Sequence, residues 1–423
     1  MLNKLKPKSE FSRNVVTLMT GTTIAQAIPI AISPILTRMY SPDDFGVFAF
    51  FIAIVAILSS IINARYELAI MLPKKDEDAI NIFALAFIIN FTITFILLIL
   101  VVFFHDFIIK IIDNKSISLW LYFIPFVVFI IGFFNILIYF NNRKNQYKNI
   151  AKATITKSIV LVIIQLSFGF YKQGVSGLIT GQILSQISAN LKLFISVKEL
   201  NLFKFIKVTK IIVLAKKYNK FPKYSMFHVL FNNISSNIPV LLLTSYYSAK
   251  TAGFYSLVNQ IIGIPSGILS KSMSDVFFRE CNIAKNNNKE ILCSLYKNLL
   301  TKLIVILLPI FIIIFFVGPK VVGIVFGDRW IEVGIYLQIL LPMFFLGSIG
   351  SVMSNIINIF QKQKKGLILE VIGFVLKLIS LIIGIWYNDI YIGLILFSIS
   401  GSVITLYRLK WYYSILREYS NGV

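Results

Sequence analysis

Twelve apolar runs of about 20 residues each, separated by short loops whose Lys and Arg fall almost wholly on alternate sides, constrain this chain more than any other feature. The runs are Val15–Thr37, Phe45–Ala64, Ile80–Phe104, Ser118–Phe140, Ala153–Tyr171, Val175–Val197, Tyr224–Tyr247, Gly253–Ser274, Leu299–Gly318, Tyr336–Phe360, Gly366–Tyr387 and Ile390–Tyr412. At 1.5 Å per residue, each is long enough to cross a hydrocarbon core of about 30 Å. A helix in the core of a soluble protein has no reason to be apolar on every side for that length. In lipid, a backbone must satisfy its own hydrogen bonds, which a helix does within one segment. The expectation is an all-α integral membrane protein with twelve transmembrane helices.

The formal charge of +23 invites a nucleic-acid reading, but the placement of the charge argues against it. Twenty-nine Lys and Arg lie on the side of the N-terminus and seven on the other, leaving Lys157, Lys192, Lys271, Lys302 and Lys377 within spans. The positive-inside rule then puts both termini in the cytoplasm. No nucleic-acid motif accompanies the charge. Met1–Arg13 reads as a basic cytoplasmic lead, since the first apolar run is too long for the h-region of a cleaved signal. Cys281 and Cys293 share a cytoplasmic loop, where a disulfide is not expected, and have no histidines nearby for zinc.

The chain repeats itself. Tyr40-Ser41-Pro42-Asp43-Asp44-Phe45-Gly46 follows the first run, and Tyr247-Ser248-Ala249-Lys250-Thr251-Ala252-Gly253 follows the seventh. Gly177-Leu178-Ile179 echoes Gly393-Leu394-Ile395, and Pro125 echoes Pro342. These matches predict two six-helix bundles of the same orientation, as in transporters that rock one half against the other. The expected boundaries are an N-terminal bundle over 1–197, a linker over 198–223 and a C-terminal bundle over 224–423. In the linker, Leu202, Phe203, Phe205, Ile206, Ile211, Ile212 and Leu214 interleave with Lys204, Lys207, Lys210, Lys216 and Lys217, the pattern of an amphipathic helix lying on the cytoplasmic leaflet.

Polar side chains inside spans should face protein or water. Thr22, Gln26, Pro29, Ser33 and Thr37 share one face of span one; Ser225, His228, Asn232, Ser235 and Pro239 share one face of span seven. Span eight carries Asn259, Gln260, Gly263, Ser266, Ser270 and Ser274. A cavity lined by these helices and packing through small residues both account for such faces. In span eleven, Gly366, Glu370, Gly373, Lys377, Ser380 and Gly384 form a stripe with a lysine close to mid-span. A cation there costs about 3 kcal/mol on insertion scales and marks either a functional path or an ion pair. Lys157 and Lys271 lie nearer the cytoplasmic ends of their spans, and Arg38 ends span one on the outer side; snorkelling explains these as well as a binding role does. No His-Glu-x-x-His, Walker loop or nucleophile elbow is present, so neither an enzyme nor a metal site is expected.

Two stretches carry a family resemblance. Ile35-Leu36-Thr37-Arg38-Met39-Tyr40-Ser41-Pro42-Asp43-Asp44-Phe45-Gly46 and Arg65-Tyr66-Glu67-Leu68-Ala69-Ile70-Met71-Leu72-Pro73 resemble the N-terminal signature of Wzx-type polysaccharide repeat-unit flippases. Ala215–Ser225 and Gly253-Phe254-Tyr255-Ser256-Leu257 resemble the start of that family's second half. The resemblance implies the multidrug/oligosaccharidyl-lipid/polysaccharide (MOP) exporter fold, two six-helix bundles in a V. It implies an undecaprenyl-pyrophosphate-linked oligosaccharide carried from the inner to the outer leaflet of the bacterial cytoplasmic membrane, for O-antigen, lipopolysaccharide or capsule assembly. It further implies no cofactor, coupling to an ion gradient, and a polysaccharide polymerase and chain-length regulator as partners beside the membrane lipids. Gln260 departs from the family pattern, in which many relatives carry Arg. The cavity candidates are then Lys377 for the pyrophosphate, with Glu370, Gln26, Asn232, His228, Asn259, Gln260, Arg38, Lys157 and Lys271 around it. Competing readings are a drug or cation exporter of the same fold, which would want a membrane-embedded carboxylate, and a membrane polysaccharide polymerase, which would want a large outer loop.

Overall fold

A computed structural model describes residues 10–112, 115–198, 205–287 and 289–420. The described chain is helical: α1 (Glu10–Met39), α2 (Pro42–Ser59), α3 (Tyr66–Ala69), α4 (Asp76–Ile112), α5 (Ser118–Leu121), α6 (Ile124–Arg143), α7 (Tyr147–Phe170), α8 (Val175–Lys198), α9 (Val208–Lys217), α10 (Met226–Tyr246), α11 (Ala249–Val258), α12 (Ile264–Asn287), α13 (Ile291–Phe326), α14 (Ile331–Met353), α15 (Ile356–Ile359), α16 (Gln363–Trp386) and α17 (Ile390–Ser420). Nine stretches among the described residues are long and apolar enough to cross a membrane. The chain is therefore a multi-pass membrane protein. The longest helices are α4, at 37 residues, and α13, at 36.

Helix starts follow from local chemistry. At α2, the Ser41 hydroxyl accepts the Asp44 N–H (3.2 Å) and the Asp44 carboxylate accepts the Ser41 N–H (2.9 Å), a reciprocal capping box with Pro42 opening the helix. At α11, the Ser248 hydroxyl accepts the Thr251 N–H (3.1 Å). Ser248 and Thr251 stand in the repeat register of Ser41 and Asp44, so both copies of the motif build the same N-cap, one with an acid and one with a hydroxyl.

Contacts divide the chain into two compact units, residues 1–253 and 254–423. This division does not coincide with the boundaries expected at 198 and 223. The seventh-run helix α10 packs on α2, and the linker helix α9 packs on α4, so both belong to the first unit. The expected boundaries follow the repeat; the observed division follows packing.

In the first unit, α7 packs against α1 and α8, and α6 against α4 and α8. Three asparagines from three elements donate their side-chain amides to backbone carbonyls on one stretch of α6: Asn90 to Phe129 (3.1 Å), Asn190 to Ile130 (2.7 Å) and Asn63 to Gly132 (2.9 Å). All three asparagines are buried. Gly132 makes room for two of them, since a Cβ there would stand 2.6 Å from Asn90 Nδ2 and 3.0 Å from Asn63 Oδ1. Gly132→Val should break this arrangement and lower stability by about 1–3 kcal/mol, read as a fall in the midpoint of thermal unfolding in detergent. An unchanged midpoint would show that the asparagines have slack.

The linker is held to this unit. Tyr66 Oη donates to Ala215 O (2.9 Å), Asn81 Nδ2 to Phe205 O (3.0 Å) and the Lys207 N–H to Asn81 Oδ1 (2.8 Å). Lys210 Nζ reaches Glu77 Oε2 at 2.8 Å, which raises the lysine pKa. Ile211 and Leu214 are buried in the same apolar cluster as Ala79, Ile80 and Ile82, while Val208, Ile212 and Val213 are exposed. The expected amphipathic helix is present over Val208–Lys217, with its buried face on protein. Leu202, Phe203 and Lys204 lie outside the described residues.

In the second unit, α16 packs on α17, and α14 on α13, α12 and α17. Trp330 and Tyr336 are fully buried, each edge-on to Phe254. Gly334 lets α14 approach Pro319 of α13, where a Cβ would stand 2.5 Å from Pro319 Cα. Tyr296 Oη donates to Leu409 O (2.8 Å) and ties α13 to α17.

Candidate functional site

Lys377 lies on α16, half-buried, with its Nζ 5.6 Å from the centre of the Phe397 ring of α17. Gly401 on α17 admits the lysine stem, since a Cβ there would stand 3.1 Å from Lys377 Cε. Glu370, two turns away on α16, bonds instead to Arg408 of α17: Nη2 to Oε2 is 2.7 Å, and the same Nη2 donates to Leu369 O (3.0 Å). Lys377 forms no ion pair among the described residues. A ring face attracts an ammonium group but leaves its charge uncancelled. The stripe around it differs from a cavity lining. Gly373, Ser380 and Gly384 are buried, and Ser380 Oγ is 3.1 Å from Ser400 Oγ, so most of this face is the seam between α16 and α17. Small residues and paired hydroxyls bring the two helices together, and the lysine passes along that seam onto Phe397.

The first unit offers a comparable cation. Lys157 on α7 is half-buried, with Nζ 5.6 Å from the Phe134 ring of α6. The neighbouring Ser158 hydroxyl donates to Ala25 O of α1 (2.7 Å). Gln26, next to Ala25, is exposed, so Lys157 and Gln26 flank the same α1–α7 contact. Asn232 and His228 lie one turn apart on α10 and are exposed. His228 borders a hollow of about 490 Å³ that Lys220, Phe221, Tyr224 and Ser225 also line. Arg38 ends α1, exposed. In the second unit, Asn259 and Gln260 fall in a wider turn, Asn259–Gly263, and Asn259 Nδ2 donates to Tyr255 O (3.1 Å). Such π-type turns inside a helix recur at functional sites. The Lys271 side chain lies outside the described residues.

The turn between α2 and α3, read from the sequence only as part of the family signature, brings an ion pair together. Ala64 and Arg65 both have positive φ, at 47° and 63°, which non-glycine residues adopt only under constraint. The turn carries the chain back so that Arg65 Nη1 meets Glu67 Oε1 at 3.2 Å, with Glu67 buried. Burial pushes the Glu67 carboxyl up, and the Arg65 guanidinium pulls it back down. The signal was an Arg-x-Glu triplet at the end of a membrane run. Among the described residues, no group of His, Cys, Asp and Glu could hold a metal ion.

Residues 35–335 match the model of a family described as "Polysaccharide biosynthesis protein". The chain belongs to that family. No curated protein sequence matches it. Among solved structures, this family member is similar to the lipid II flippase MurJ in an inward closed conformation, with a TM-score of 0.73, 16% identity, and coverage of 96% of this chain and 90% of that one. It is similar to an inward-facing multidrug resistance MATE family transporter of the MOP superfamily, with a TM-score of 0.72, 16% identity, and coverage of 95% and 96%. A MOP superfamily transporter from Pyrococcus furiosus gives a TM-score of 0.59 at 16% identity, with coverage of 96% of each chain. At these identities the likeness is one of fold, and that fold is the MOP exporter fold expected from the sequence.

Proposed function

We propose that this family member is a flippase. Its substrate is an undecaprenyl-pyrophosphate-linked oligosaccharide repeat unit, moved by alternating access from the inner to the outer leaflet of the bacterial cytoplasmic membrane. It works in O-antigen or capsular polysaccharide assembly, with both termini cytoplasmic, twelve spans and no enzymatic step. The observation that carries the reading is Lys377, an intramembrane cation on Phe397 whose nearby carboxylate is taken by Arg408. A pyrophosphate is a dense anion that such an amine can bond with charge assistance. Lys157 supplies a second ring-held cation in the first unit. Asn232, Asn259, Gln260 and Gln26 offer amides to sugar hydroxyls, and His228, Arg38 and Lys271 are further polar candidates. An ion gradient drives the cycle, and a polymerase and chain-length regulator receive the product.

A drug or cation exporter would use a free carboxylate in the membrane. Of the four candidates, Glu67, Asp275, Glu280 and Glu370, all near span ends, Glu67 and Glu370 are each bonded to a guanidinium, Arg65 and Arg408, which favours the anion reading. Deletion of the gene tests the proposal. Lipid-linked repeat units should accumulate on the cytoplasmic face while surface polysaccharide disappears. Normal surface polysaccharide in a strain without a second flippase gene would exclude it. Reporter fusions at Val423 and within 205–223 should both report cytoplasm; an outside signal at either would overturn the topology.

A further inference from the structure

Four lysines at one end of the second unit are held on aromatic rings. Lys285 lies over Phe360 (5.2 Å) and Tyr419 (5.7 Å), Lys289 over Tyr419 (4.9 Å), Lys297 over Tyr413 (5.4 Å) and Lys365 over Trp411 (5.2 Å). Lys285 Nζ also donates to Ile359 O (2.7 Å). None of the four forms an ion pair among the described residues. The first unit mixes the two devices: Lys217 lies over Tyr218 (5.3 Å), but Arg143 and Lys144 meet Asp76 at 3.0 and 2.6 Å, and Lys210 meets Glu77 at 2.8 Å. Carboxylates cancel the latter charges. Rings hold an ammonium in place while leaving its charge and its N–H donors available.

The depth of these lysines is set by their helices. On α13, Lys297 precedes a run of side chains left bare by the protein, with Val305 65% and Ile306 50% exposed. On α16, Lys365 precedes Leu367, Ile368 and Val371, all about half exposed. Bare apolar surface on a membrane helix is covered by acyl chains, so a lysine where that surface begins stands at headgroup level. Aromatic side chains concentrate at the same level. Lys289, Lys297 and Lys365 are exposed, and Lys285 is half-buried.

We infer that this ring-held lysine belt binds the phosphate headgroups of anionic phospholipids. Basic pockets between membrane helices recognise such headgroups. Phe360, Trp411, Tyr413 and Tyr419 fix the amines in position before the lipid arrives, which lowers the entropy lost on binding. The belt is independent of the substrate reading, since neither Lys377 nor Lys157 takes part.

The test uses the full chain purified in detergent, titrated with phosphatidylglycerol or phosphatidylcholine, with bound lipids counted by native mass spectrometry. Wild-type protein should prefer phosphatidylglycerol. Replacing all four lysines by Gln should reduce that preference by roughly two orders of magnitude or more, because each lysine near a headgroup contributes roughly a fivefold factor. The pair Lys289→Gln and Lys297→Gln serves if the fourfold variant does not purify, with a loss of about tenfold or more expected. Lys→Arg at the same positions should keep the preference. Lys148→Gln with Lys152→Gln, exposed on the first unit, should leave it unchanged. Wild-type preference in the Gln variants would overturn the inference. Equal loss in the Lys148/Lys152 control would reduce it to net charge. Displacement of phosphatidylglycerol by millimolar inorganic phosphate would mark a soluble-anion site instead and equally overturn it.

Discussion

Lys377→Ala should cut transport roughly 10- to 100-fold while protein abundance in the membrane stays at the wild-type level. The magnitude is that of one hydrogen bond to a charged group, about 1.5–3 kcal/mol. Abundance should hold because removing an intramembrane charge relieves an insertion cost and no carboxylate is stranded: Glu370 keeps Arg408 at 2.7 Å. Lys377→Arg should retain more activity than Lys377→Gln, since charge is the requirement, although the broader guanidinium must fit beside Phe397 and Gly401. Transport and abundance are measured in the same cells. Full transport by Lys377→Ala at normal abundance would sink the role and leave the α16 face as packing alone.

Gly46→Leu should have the largest structural effect. The two repeat motifs meet in the first unit. A Cβ on Gly46 would run into the backbone carbonyl of Ala249, and a Cβ on Gly253 into that of Pro42. Each glycine thus faces the residue that opens the other copy's helix. No rotamer change accommodates a side chain against backbone, so the two helix starts would have to separate. We expect a loss of about 3 kcal/mol or more, at the top of the range for overpacking, seen as a lower thermal midpoint, with loss of surface polysaccharide in complementation. Gly253→Leu should behave alike. A Gly46→Leu protein with wild-type midpoint and activity would mean that this approach is dispensable.

The membrane class, the helical content and the repeat were legible in the sequence because each is written in period and length. Continuous apolarity over 20 residues admits few folds, and Ser41–Gly46 and Ser248–Gly253 announce themselves as one motif used twice. The compact units were not legible, because packing of α10 on α2 depends on which surfaces meet, and periodicity is silent on that. The span-eleven stripe was legible as a polar face. Its partner was not: the serine and glycine positions suit a wet wall and a close helix contact equally well, and only Ser400 and Ile404 across the seam decide it. Glu370 shows the same limit. Two turns of helix separate it from Lys377, too far for tight pairing, but nothing in the order of residues points to Arg408. The buried Asn63, Asn90 and Asn190 could have been flagged as polar residues in apolar runs, while their shared target on α6 is a product of tertiary structure.

The lengths of α4 and α13 have a consequence for the surrounding bilayer. At 1.5 Å per residue each extends about 55 Å, against a hydrocarbon core of about 30 Å. They contain the third and ninth apolar runs, equivalent in the repeat, so in each unit one helix reaches well past the hydrocarbon, as the acidic start of α4 at Asp76-Glu77-Asp78 and the placement of Lys297 on α13 require. Much of their apolar surface is bare: Phe91, Phe95, Phe103 and Phe107 on α4, and Val305, Ile313, Phe316 and Ile324 on α13. The apolar runs inside them, Ile80–Phe104 and Leu299–Gly318, are only about 37 and 30 Å long, so the mismatch left to be relieved by tilting or by thickening the nearby lipid is small and falls on α4. Membrane thickness therefore acts on the two units unequally: a thinner bilayer tilts α4, with its longer apolar run, sooner than α13.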